Sequence, residues 1–100
     1  MKTREEYIAL IASHAEELHN TFGIISLRLF GSVARNQHHD GSDVDIYVEM
    51  SPKFSLVVRL KAHLEDLLGC PVDIIRKHQH LNPFLLKEVE RDGIEVIAER

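Results

Sequence analysis

Asp43 and Asp45 stand two residues apart in a stretch, Asp43 to Met50, where Val44, Ile46, Val48 and Met50 alternate with Asp43, Asp45, Tyr47 and Glu49. A period of two is a strand, so both carboxylates project from one face, with origins roughly 6.6 Å apart. Like charges this close repel unless water solvates them or a cation lies between. An all-oxygen pair suits Mg²⁺, or Mn²⁺ as its substitute. Magnesium sites typically use one or two protein carboxylates and complete the octahedron with water and substrate phosphates, which points to a nucleotide. Asp73, inside the apolar run Val72 to Ile75, is the natural third acid, because an ionised group there needs a partner to offset its desolvation. A third acid lets the site hold a second ion.

Phosphates also need donors. Gly31-Ser32, at a strand-to-helix turn, offers backbone N–H groups, a hydroxyl and the positive end of the following helix. Arg35, one turn after Ser32, adds charge toward a triphosphate. Asp40, a loop acid before Gly41, reads as a turn former rather than a ligand. His38-His39 and His78-Gln79-His80 bring no Cys or acid at ligand spacing, which argues against a transition-metal site there.

These residues need elements to hold them. Thr3 and Glu6 have the form of a capping box, and Tyr7, Ile8, Ile11, Ala15 and Leu18 recur behind it at helical spacing, which predicts a helix over 3–20. After Gly23, the run Ile24 to Phe30 predicts a strand with Ile25, Leu27 and Leu29 on one face. A short helix over 32–36 and a polar loop lead into the strand of the two aspartates. Ser51-Pro52 supplies an N-cap and first-turn proline for a helix with the stripe Phe54, Val57, Leu60, Leu64, Leu67 and Leu68, stopping at Gly69. Pro71 opens a strand, Val72 to Arg76. Asn82-Pro83 caps a helix that ends near Gly93, with Leu81 and Leu86 placed as a hydrophobic staple. Ile94 to Ala98 form a last strand. This alternation predicts an α/β (α+β) domain: a small mixed sheet of three to four strands, with helices packed mainly on one face.

One hundred residues, spread without repeat or linker, leave room for a single domain over 1–100. Twelve Lys and Arg against 16 Asp and Glu give a net charge of −4, and the cations are scattered singly, which disfavours binding to nucleic acid. No apolar stretch reaches the length of a membrane span, and the N-terminus is charged, so the expected location is cytoplasmic, away from the membrane. The one cysteine, Cys70, excludes an internal disulfide, fits a reducing compartment, and reads as a small buried apolar side chain.

Gly31-Ser32, ten intervening residues, then Asp43-Val44-Asp45 resembles the Gly-Ser-x10-Asp-x-Asp signature of the DNA polymerase beta superfamily of nucleotidyltransferases. A chain this short is similar to the minimal nucleotidyltransferases, the MNT domains. The resemblance implies the nucleotidyltransferase fold, with Gly31 and Ser32 holding the triphosphate and Asp43 and Asp45 binding the metals. Asp73 is then the third acid, able to activate the attacking hydroxyl. It implies in-line attack on the α-phosphorus of ATP with two Mg²⁺ ions as cofactors. Members are often encoded beside a HEPN-domain RNase toxin and act as its antitoxin, so the implied acceptor is a tyrosine hydroxyl on that partner, modified with AMP. Two alternatives stand beside it: an antitoxin acting by contact alone, and a transferase for a small molecule or a nucleic-acid end. Self-association is open. One departure from the family pattern is Asn36, where a glycine is usual; Asn tolerates the left-handed backbone a glycine adopts.

Overall fold

The structure is a computed structural model and describes residues 1–99. Among the described residues, five helices and four strands run in the order α1 (Arg4–Ser13), α2 (Ala15–Phe22), β1 (Ser26–Phe30), α3 (Gly31–Ala34), β2 (Val44–Glu49), α4 (Phe54–Leu68), β3 (Val72–Arg76), α5 (Pro83–Asp92) and β4 (Ile94–Ile97). The strands form one mixed sheet in the order β3-β2-β1-β4. β1 pairs antiparallel with β2 and β4, while β3 runs parallel to β2.

The capping box forms as expected: Glu6 N–H donates to Thr3 Oγ1 at 3.1 Å and Thr3 N–H to Glu6 Oε1 at 2.9 Å. The single helix expected over 3–20 is instead two, broken at His14. There, Ser13 Oγ donates to the Leu10 carbonyl at 2.9 Å and the His14 ring Nδ1 reaches the same oxygen at 2.9 Å. Side chains that compete for a helical carbonyl in this way weaken the backbone ladder and favour a break there. The strand expected from Ile24 begins at Ser26, and Ile25 is exposed while Ile24 is buried. Ile25 N–H still bonds the Glu49 carbonyl at 2.8 Å, but the chain has not yet entered the pleat, so parity with Leu27 does not apply. α4 starts later than Ser51-Pro52 suggests, with Lys53 as its N-cap and no side-chain cap bond. Phe54, expected in the apolar stripe, is consequently in the first turn and 81% exposed. The other end of α4 behaves as read, closing at left-handed Gly69. Asn82 caps α5 by accepting from Phe84 N–H at 2.8 Å.

Tyr7 and Ile11 of α1, Leu18 and Phe22 of α2, and Leu60, Leu64 and Leu68 of α4 form one core with Leu27, Leu29, Val44, Ile46, Val48 and Val72 of the sheet. Cys70 is half-buried and packs against this core. Phe30 and Val89 are buried outside it. α5 packs on β1 and α3, with Gly93 beside Arg28, and so lies over the opposite face of the sheet. It covers the β1 side of that face and leaves the non-core side chains of β2 and β3 partly open. Among the described residues no helix is long and apolar enough to cross a membrane.

Candidate active site

The buried and half-buried residues of β2 alternate without a break, so Val44, Ile46 and Val48 enter the core and Asp45, Tyr47 and Glu49 face away from it. The parallel register sets Asp45 directly beside Asp73, just as it sets Val44 beside Val72. Neighbouring strands lie about 4.8 Å apart, so these two carboxyl groups leave the same face as adjacent side chains. Asp43 sits immediately before β2, two residues from Asp45 and in phase with it.

Asp45 is half-buried, and its carboxyl is pushed up to about 6. Desolvation is the largest cause, followed by repulsion from Asp73, Asp43 and Glu88; Arg35 pulls the other way. An acid held among three others in a partly dry setting is the charge arrangement that a divalent cation relieves. Asp43 and Asp73 are exposed on either side of the half-buried Asp45. Among the described residues no three His, Cys, Asp or Glu side chains converge closely enough to form a finished cage. The oxygen-only donor set suits Mg²⁺ or Mn²⁺.

Gly31 explains itself twice over. It is buried with φ at 72°, in the left-handed region, and a Cβ built on it would overlap the Asp45 carboxylate. The turn at Gly31 and the acid cluster are therefore in direct apposition, with the glycine hydrogen at the point of closest approach. α3 follows at once and is a single turn, so its first amides are left without partners inside the helix. Ser32 is half-buried beside them. Asn36 adopts φ of 59°, the left-handed backbone its amide side chain tolerates. Arg4 Nη1 donates to the Ala34 carbonyl at 3.1 Å and ties α1 to the end of α3.

Arg35 is already engaged by neighbouring side chains. Its Nη1 lies 3.5 Å from Glu88 Oε1 and 3.3 Å from Asp92 Oδ2, and its Nε donates to Gln37 Oε1 at 3.0 Å. Glu88 and Asp92 were absent from the residue set read off the sequence. Their helical i, i+4 spacing is visible there, but their partners are not. Asp40 is exposed at a turn and pairs with the N-terminal amine at 3.5 Å. His38 reaches the Lys2 carbonyl at 3.0 Å and meets Tyr7 edge-on, whereas His39 bonds the Asp40 carbonyl at 2.9 Å. The His78 and His80 rings lie 6.5 Å apart, and His78 Nδ1 accepts from His80 N–H at 3.1 Å. These histidines serve loop structure.

A family model described as polymerase beta, nucleotidyltransferase matches residues 13–100. The chain belongs to this nucleotidyltransferase family. Among its relatives is the protein adenylyltransferase MntA of Thermococcus cleftensis, 35% identical over 98 residues that span 96% of this chain and 98% of that protein. The solved structure of a candidate minimal nucleotidyltransferase is 34% identical, with a TM-score of 0.76 over 93% of this chain and 95% of that one. A chain from the complex of the tri-AMPylated HEPN toxin of Shewanella oneidensis with its MNT antitoxin shares the fold, with a TM-score of 0.67 at 17% identity, over 96% of this chain and 73% of that one. The nucleotidyltransferase fold and the mixed four-stranded sheet thus agree with the reading from sequence.

Proposed function

We propose that this nucleotidyltransferase transfers AMP from ATP to a tyrosine hydroxyl of a HEPN-domain toxin and so acts as its antitoxin. The observation that carries the reading is the register of β2 and β3, which sets Asp45 beside Asp73 on the open face and against Gly31. The names of the MntA relative and of the HEPN–MNT complex support the choice of donor and acceptor.

In this reading Gly31 and Ser32 hold the triphosphate, with Arg35 at the edge of the same turn. Asp43, Asp45 and Asp73 would hold two Mg²⁺ ions, or Mn²⁺ in their place. When bound, these ions neutralise the charge that gathers on the α-phosphoryl group and on the departing pyrophosphate. Asp73, exposed at the edge strand β3, would take the proton of an incoming hydroxyl. The hydroxyl oxygen bonds to the α-phosphorus, the bond from that phosphorus to the bridging oxygen breaks, and pyrophosphate leaves. The face beside Asp73 is open, so the acceptor can arrive on another protein rather than in an enclosed pocket.

Incubation with α-labelled ATP, Mg²⁺ and a HEPN-domain toxin as acceptor tests the reading. Label is expected on a partner tyrosine with the wild type and not with Asp43→Asn. Protection without any label would favour an antitoxin that works by contact, and label on a small molecule or an RNA end would move the acceptor elsewhere. A second measurement needs no acceptor. Mg²⁺ with ATP should raise the melting temperature of the wild type, because a ligand at about 100 times its Kd adds about 2.7 kcal/mol, and should leave Asp45→Asn unmoved. Equal shifts in the two proteins would remove Asp45 from the site.

A further inference from the structure

α5 is the helix that crosses the sheet on the acid side, and two acids on its inner flank, Glu88 and Asp92, turn toward α3. Asp92 has a side chain only 13% exposed, although it carries a formal charge. It is gripped from two sides: Arg91 donates to it from Nε at 3.0 Å and Nη2 at 2.9 Å, and Arg35 Nη1 lies 3.3 Å away. Glu88, one helical turn earlier, meets the same Arg35 nitrogen at 3.5 Å. Arg35 closes the single turn of α3 that starts at Gly31, and α3 packs on α5. Two carboxylates 53 and 57 residues downstream therefore hold the guanidinium that ends the phosphate turn.

An unrestrained arginine has about 2 kcal/mol of rotamer entropy to lose when it meets a phosphate. An arginine already paired with two acids has lost part of that beforehand, and the turn it terminates is restrained with it. Nη1 is occupied, but the guanidinium has five N–H donors and remains 35% exposed, which leaves donors for an oxyanion.

Building on the nucleotide reading above, we propose that Glu88 and Asp92 are positioning residues for the nucleotide: they aim Arg35 and brace the Gly31–Arg35 turn against α5. They act through Arg35 and do not touch the reacting atoms. The proposal assigns α5 a part in nucleotide binding, apart from its cover of β1.

The test is a cycle of steady-state kinetics with ATP as the varied substrate and the HEPN-domain protein as acceptor. Arg35→Ala and the double variant Glu88→Gln/Asp92→Asn are each expected to raise the KM for ATP about tenfold, with kcat within about twofold of wild type. The triple variant should be no worse than Arg35→Ala alone, because the acids act only through that arginine. Glu88→Asp, which keeps the charge, should recover part of the lost affinity, and Lys87→Gln on the exposed side of α5 should change nothing. Calorimetric binding of Mg²⁺ and ATP to the same variants reads the effect without transfer. An unchanged KM and affinity in the double variant, or a triple variant whose defect is the product of the two, overturns the positioning role. So does an equal fall in kcat and melting temperature with KM unaltered, which marks a purely structural pair. If the wild type binds ATP without transferring it, the proposed acceptor is wrong while the calorimetric arm still decides the role of α5.

Discussion

Replacing Asp45 by Asn is expected to lower AMP transfer by about three orders of magnitude and, in the same protein, to raise the metal-free melting temperature at neutral pH. The first effect follows from removing the central carboxylate of the three. If Asp45 supports the transition state through bound cations, losing it forfeits on the order of 4 kcal/mol of stabilisation, a thousandfold in rate. The second follows from what the carboxylate endures without a cation. Its carboxyl titrates at about 6 in the folded chain, raised by desolvation and then by Asp73, Asp43 and Glu88, against a reference value of 3.8. Between those two values the folded state binds more protons than the unfolded one. Stability therefore falls as pH rises through the window, and the loss is complete above about pH 6.

Taken at face value, that shift corresponds to about 3 kcal/mol. Asp45 is only half-buried, so water screens part of it, and about 1–2 kcal/mol is the reasonable figure. Asn has the same shape and no charge to desolvate. In EDTA at pH 7.5, Asp45→Asn should melt roughly 5–10 °C above the wild type, and the gap should close below about pH 4, where the wild-type carboxyl is protonated in both states. Calorimetric scans at the two pH values, with and without Mg²⁺, check it. An Asn variant that melts at or below the wild type at pH 7.5 would mean that the three acids do not strain one another. The reading of this face as one that stores repulsion for a cation to relieve would then fail.

That face was legible because strand parity is a strict rule: once Val44, Ile46 and Val48 are core, Asp45 has no other side to occupy. The pairing of Asp45 with Asp73 needed one further inference, that β3 lies next to β2, and the helix α4 between them makes the parallel neighbour the expected one. The turn at Gly31 was legible for a similar reason, since a glycine at a strand-to-helix junction reports a demand of the backbone. What could not be read was set by distant contacts. Nothing near Arg35 announces Glu88 and Asp92, because the ion pair exists only after α5 folds back over β1. The break at His14 lies in a segment whose periodicity continues on both sides, and only local bonds to the Leu10 carbonyl reveal it. Phe54 and Ile25 were misassigned at element ends, where a shift of one or two residues turns a core position into an exposed one. The site was thus readable where periodicity dictates a face and hidden where tertiary packing dictates a partner.

Gly31→Ala should be the most damaging substitution that adds a single carbon. The left-handed φ of 72° costs a residue with a Cβ about 1–2 kcal/mol by itself. The added methyl group also overlaps the Asp45 carboxylate, so either the turn or the acid must move. A displacement of about 1 Å at a reacting centre costs on the order of a hundredfold in rate, and here both halves of the site are displaced together. Transfer should fall at least that far, with a loss of stability of roughly 2–3 kcal/mol. Gly41→Ala separates the two contributions: its φ is 90°, yet a Cβ there meets nothing within 4 Å. It should lose stability from backbone strain and keep its kcat. Joining Gly31→Ala to Asp45→Ala removes the overlap, so stability should partly return while transfer stays absent. If instead Gly31→Ala transferred AMP as well as Gly41→Ala does, contact between the turn and Asp45 would have no bearing on the reaction, and the two features that define this site would be neighbours only in the fold.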